Sequence, residues 1–215
     1  MESIIEPVRI TTSLLALVSA AAMFRELKPG GRLLGFAAVW LALAAVAGFI
    51  ATHVTRGVPS PLWVPLVASL GIGLGIATLF SARVCALFDG LDDRQWRMLM
   101  SFRAVFGALL LAASAAGVMP QAFAVPAGLG DLAVGALALA VPGSLSSDGN
   151  RGVRLLVFGT GIVDFISVVT LLVTVLVPWL GSTGGIGISL LLPWVAVPLL
   201  ATLNFHGLRR VLWPA

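Results

Sequence analysis

Asp131 stands ten residues from either end of the apolar run Gln121 to Val141, QAFAVPAGLGDLAVGALALAV. A helix of roughly 20 apolar residues, rising about 1.5 Å per residue, is long enough to cross a bilayer, which puts this carboxylate at mid-membrane. An ionised aspartate facing hydrocarbon there is strongly disfavoured, so Asp131 must be neutral, paired with a cation, or turned toward a wet cavity. Asp164 poses the same problem inside the run Val153 to Val177. The chemistry open to two such acids is the binding of a proton or a cation. If their faces meet, both cannot ionise comfortably, and one holds a proton or a cation sits between them.

Helical spacing brings further polar groups toward these acids. In the run Met98 to Val118, Arg103, Gly107, Leu110, Ser114 and Gly117 share one stripe, as do Ala124, Gly128, Asp131, Gly135 and Ala138 in the next. Both charged residues therefore sit on small-residue faces, which meet other helices more readily than lipid. Thr160, Asp164, Ser167 and Thr174 form a polar stripe, and Asn204 and His206 lie near the end of the last run. Asp131 and Asp164 flank almost symmetrically a hairpin loop centred near residues 147 and 148, so they should reach similar depth. Arg103 lies about 8 Å above the start of its run, and side chains lean toward helix N-termini, which makes an Arg103 to Asp164 pair sterically reasonable. The candidate proton, ion or substrate-binding residues are thus Asp131, Asp164, Arg103, Thr160, Ser167, Asn204 and His206.

Plainer roles exist for each. Arg103 could snorkel to the headgroups, and His206, three residues before Arg209, could be an interfacial side chain. The serine and threonines could bond back to carbonyls of their own helix. An Asp to Arg pair could serve packing alone. A metal site built from Asp131, Asp164 and His206 is not expected, because His206 is roughly 15 Å too shallow on the same rise per residue. His53 and His206 are separated by nearly the ~30 Å apolar thickness and cannot clamp one haem.

The elements that must position these residues follow from composition. The chain has 215 residues, 59% of them hydrophobic and only 10% charged, with a mean hydropathy of +1.07. That leaves too little polar surface for a soluble domain, and the expected class is an all-α, multi-pass membrane helix bundle. The formal net charge of +4 does not point to nucleic acid, because the basic residues stand singly or in pairs between apolar runs. One cysteine, Cys85, excludes an internal disulfide and any multi-cysteine metal or iron-sulfur site. Nucleotide-binding loops and lipidation signals are absent, and no cofactor is expected.

Seven runs of spanning length appear, at about 8–24, 33–54, 62–82, 98–118, 121–141, 153–177 and 186–205, within a single domain. Breaks such as KPGGR, GVPSP, MPQ, PGSLSSDGN and PWLGSTGG carry helix-stopping residues. Ten basic residues fall on one side, namely Arg25, Lys28, Arg32, Arg83, Arg94, Arg97, Arg151, Arg154, Arg209 and Arg210, against Arg9 and Arg56 on the other. This asymmetry predicts an external N-terminus and a cytoplasmic C-terminus in a bacterial-type inner (plasma) membrane. Ser19 to Ala22 offer small residues of the kind found at signal cleavage sites, but Glu2 and Glu6 outweigh Arg9, so the first run is read as a retained span. The segment Arg83 to Arg97 reads as a solvated connector, or as a short amphipathic segment on the membrane surface. Gly71, Gly73 and Gly75 make a notch for close helix approach, and such faces leave oligomerisation open.

Seven helices with an external N-terminus resemble the outline of the SWEET sugar transporters in helix number and orientation alone. That family pairs two Pro-Gln signatures, whereas Pro120-Gln121 stands alone here and no internal repeat is evident. Gly128-Leu129-Gly130-Asp131 resembles the GxGD motif of intramembrane aspartyl proteases and prepilin peptidases, which implies a second aspartate and water activated against a peptide bond. In those families the partner aspartate precedes the motif, while Asp164 follows it and Asp89, Asp92 and Asp93 lie at a different depth. The reading taken forward is proton- or cation-coupled movement of a small solute, or ion binding, at a polar site between the fourth and seventh runs. The alternatives are an intramembrane aspartate enzyme and a noncatalytic membrane subunit. Expected partners are the lipid bilayer and a small solute, proton or cation, with no nucleic acid.

Overall fold

The computed structural model describes residues 91–145, 150–176 and 191–213, together with positions 73, 88, 178 and 179, and the side chains of the last segment from Leu200 onward. The expected spans at 8–24, 33–54 and 62–82 lie outside the described residues apart from position 73. The described part is all-helical. Its helices are α1 (Asp93–Ala115), α2 (Gln121–Ala140), α3 (Arg151–Leu171), which continues through a π-helical turn Leu172–Leu176, and α4 (Leu191–Leu212). Three of these, α1, α2 and α3 with its extension, are long and apolar enough to cross a membrane.

Local chemistry sets their ends. Asp92 caps α1 by accepting a 2.8 Å bond from the Gln95 amide, while the Gln95 side chain accepts from the Asp92 amide at 3.0 Å. This reciprocal pair satisfies two donors that have no intrahelical partner, and it starts α1 before the expected position near Met98. The tail of the segment read as a connector is therefore helix, and Phe88 and Leu91 just ahead of it are buried. At the other end Gly117 takes φ +71°, the Val118 amide reaches Ala113 O and the Gly117 amide reaches Ser114 O, both at 3.0 Å. A left-handed residue closing a helix in this way favours glycine, which has no Cβ to clash. Asn150 caps α3 by accepting from the Gly152 amide at 2.8 Å.

Consecutive helices pack antiparallel. The tightest approach is between α1 and α2, where small residues let the two backbones touch. A Cβ on Gly128 would lie 2.9 Å from Gly107 O, and one on Gly135 would lie 2.6 Å from the Ala104 amide nitrogen. Neither position has room for a side chain. Arg97 then ties the two helices at one end, its Nη1 donating to Ala138 O at 2.8 Å and Val141 O at 3.1 Å. Its Nη2 donates to Gly143 O, and Asp93 both pairs with Arg97 Nε at 3.0 Å and accepts from the Leu145 amide. A guanidinium at the carbonyl end of α2 also complements that helix's dipole.

The apolar core falls into two clusters at opposite ends of the bundle. One gathers Trp96, Leu99, Met100 and Phe106 from α1 with Ala138, Val157, Phe158, Leu203 and Val211. The other gathers Leu110 and Ala113 with Phe123, Ala124, Ala127, Leu172 and Leu176. Along α2, Asp131 falls between Ala127 of one cluster and Ala138 of the other, and along α3, Asp164 falls between Phe158 and Leu172. The two acids thus occupy the layer that separates two greasy ends.

Candidate functional site

Arg103 is the hub of that layer. It projects from α1 with 3% of its surface exposed, turned inward instead of snorkelling outward. Its Nε donates to Asp131 Oδ1 of α2 at 2.7 Å, its Nη2 donates to Asp164 Oδ2 of α3, and its Nη1 makes a long 3.3 Å bond to Gly161 O, also on α3. One planar fork therefore engages two carboxylates and a carbonyl on two neighbouring helices. Arginine suits this task because its donors diverge in a fixed plane and its charge is permanent.

Glycines make the convergence possible. A Cβ on Gly130 would run into Asp164 Oδ1, so a glycine there lets the Asp164 carboxylate lie directly against the α2 backbone. On α3, a Cβ on Gly161 would collide with Asn204 Oδ1 of α4 and come within 2.9 Å of Arg103 Nη1. Gly161 therefore opens the passage through which α1 and α4 meet across α3.

The electrostatics are unbalanced by construction. One cation faces two carboxylates, so with both ionised the buried cluster carries one excess negative charge. Removing ions from water costs several kcal/mol each, and that is offset only where charges and hydrogen bonds are matched. The arrangement can do two things chemically. It can take up one positive charge, or it can fasten three helices together.

Asn204 belongs to the same locality. It is fully buried, and its Nδ2 donates to Leu200 O of its own helix at 2.8 Å. Among the described residues its Oδ1 has no hydrogen-bond partner. A buried acceptor left in this way costs about 1–3 kcal/mol.

The other expected residues are placed differently. Thr160 donates to Leu156 O at 2.7 Å and Ser167 to Val163 O at 2.9 Å. Thr170 and Thr174 follow the same pattern, bonding Ile166 O and Thr170 O at 2.8 Å each. These hydroxyls satisfy carbonyls of α3 itself and do not reach the guanidinium. His206, expected at the interface, is fully buried because α4 runs on to Leu212. Its ring stacks on Trp96, with centroids 5.9 Å apart and planes 6° apart, and tilts against Phe88 at 5.4 Å. Among the described residues, no three His, Cys, Asp or Glu side chains converge as metal ligands.

Reading the sequence missed Gly161, and it singled out Gly130 within the GxGD-like motif without anticipating that it makes room for Asp164. The available signal was positional, since Gly161 stands three residues before Asp164 and Gly130 adjoins Asp131, both within reach of one turn.

Fold and site together define a protein whose described residues are helical, include three span-capable helices, and bury one arginine between two aspartates. Residues 61–212 match the family described as Domain of unknown function (DUF8737), a stretch that takes in all four described helices, and the chain belongs to that family. Neither the curated proteins nor the solved structures contain a match.

Proposed function

We propose that this is a seven-span protein of the bacterial-type inner membrane, N-terminus outside and C-terminus cytoplasmic, which binds a proton or cation at Asp131 and Asp164 and couples it to movement of a small solute. Arg103 holds both acids and sets how readily they accept charge. The single observation behind this reading is the buried ratio of one guanidinium to two carboxylates, which one added positive charge would neutralise. Glycine-lined helix crossings lie beside the site, and Pro126 stands within α2, residue types that transport sites use where helices must bend or approach closely.

Hydrolysis by an aspartate pair requires the two carboxyls to share a water. Here the guanidinium lies between them, and this supports ion binding over proteolysis. A structural staple is the second reading, favoured because Arg103 already engages both carboxylates. The full chain reconstituted in liposomes, under an imposed pH gradient with an internal pH-sensitive dye, separates the two. Proton flux that disappears in Asp164→Asn and Asp131→Asn supports the transport reading. Absence of flux and of solute uptake in the parent protein, with all variants folded, leaves the staple.

A further inference from the structure

The geometry points to Asn204 as a second, uncharged seat for the Arg103 guanidinium, occupied when a proton binds Asp164. This rests on the ion-binding reading above and names the ion as a proton. A metal cation would need several oxygen ligands and a favourable field. The guanidinium already fills the space between the two acids, and among the described residues no three acidic, histidine or cysteine side chains converge. A proton needs neither a cage nor a cavity.

The donors of Arg103 are not equally committed. Nε is held by Asp131 at 2.7 Å, and this bond can act as the pivot. Among the described residues Nη1 has only the 3.3 Å contact with Gly161 O, close to the outer limit of a hydrogen bond. Facing it across the Gly161 gap is Asn204 Oδ1, fully buried and without a hydrogen-bond partner among the described residues. One point, the position a Cβ on Gly161 would take, lies within contact of both atoms. When hydronium gives up a proton to the Asp164 carboxylate, one O–H bond of hydronium breaking as one forms on the carboxyl and water being left, the charge that held Nη2 is gone. The fork then turns about Nε and brings Nη1 onto Asn204 Oδ1. Protonation on α3 is thereby passed to α4 as a new hydrogen bond from α1, the type of two-state element that coupling requires.

The chain has two asparagines, Asn150 and Asn204, so isotopic labelling of asparagine side-chain carbonyls gives an infrared spectrum that can be assigned. Asn150→Ser keeps a helix-capping side chain and removes the other band; if it fails to fold, the parent protein carries both bands and still reports. The sample is the full chain in liposomes, taken from alkaline to acidic buffer. The expected result is a protonated carboxyl band that is lost in Asp164→Leu, a change that adds no labelled asparagine, together with a shift of the Asn204 carbonyl band to lower frequency as it accepts a bond. The carbonyl shift is expected to vanish in Asp164→Leu as well. A carboxyl band that forms while the Asn204 carbonyl stays still overturns the second seat and leaves the proton site standing. If no carboxyl band forms that depends on Asp164, the proton site falls, and the proposal with it.

Discussion

Arg103 of α1 and Asp164 of α3 are joined through Nη2 and Oδ2 across 61 positions of chain, and α2 contributes the second acid to the same fork. The two ends of this cluster are apolar cores, so its charges have little access to water. Stability and the proposed ion binding are therefore entangled at one place, and the useful variants are those that separate them.

Replacing Arg103 alone leaves two acids facing each other in a buried layer. Arg103→Leu should lower stability by about 3–5 kcal/mol, the usual cost of stranding a buried charge. Neutralising the whole cluster as R103L, D131N and D164N together should restore most of that loss while abolishing proton flux. Unfolding in detergent, read by helix content, measures the first quantity and the liposome assay the second. Equal losses in the single and triple variants would contradict the charge argument.

The α1 to α2 crossing depends on missing side chains. Gly135→Val places carbon against the Ala104 backbone, where a single Cβ would already sit 2.6 Å from the nitrogen; the expected cost is about 1–3 kcal/mol or more. Gly159, also helical, has nothing within 4 Å of its Cβ position. Gly159→Ala should be tolerated or gain about 0.5–1 kcal/mol from reduced backbone freedom in the unfolded chain. Thermal midpoints of the two variants should move in opposite directions.

Arg97 holds the turn after α2 by three carbonyls. Arg97→Ala should cost about 1.5–3 kcal/mol, the range for hydrogen bonds to a charged group. Amide exchange at Leu145, whose N–H is held by the Asp93 carboxylate paired with Arg97, should accelerate. Lysine cannot span the same three acceptors with one point charge, so Arg97→Lys should recover only part of the protection.

The hydroxyls of α3 provide the contrast. Thr160→Val and Ser167→Ala remove groups that, among the described residues, bond only to Leu156 O and Val163 O of their own helix. Stability should change by no more than about 0.5 kcal/mol, and proton flux should match the parent protein. A severe loss of flux in either would bring α3's polar stripe back into the site.

Composition and local pattern determined a good deal on their own. Long apolar runs broken by Pro and Gly mark α2 and α3 nearly to their ends, because spanning length and helix-stopping residues are properties of a short stretch of chain. The small-residue stripes through Gly107 and Gly135 likewise identify faces that must meet other helices. The start of α1 and the extension of α4 were less legible, since Arg94, Arg97, Arg209 and Arg210 look like loop residues until Asp92 is seen to cap and His206 to be enclosed.

What only the tertiary structure decided is pairing. Periodicity places Asp131, Asp164 and Arg103 on faces but cannot say how far each helix is turned about its axis, and that rotation is settled by contacts such as Gly107 against Gly128 and Gly161 against Asn204. The same rotation turns Thr160 and Ser167 back on their own helix, stacks His206 on Trp96, and leaves Asn204 Oδ1 facing the one fork that holds both acids.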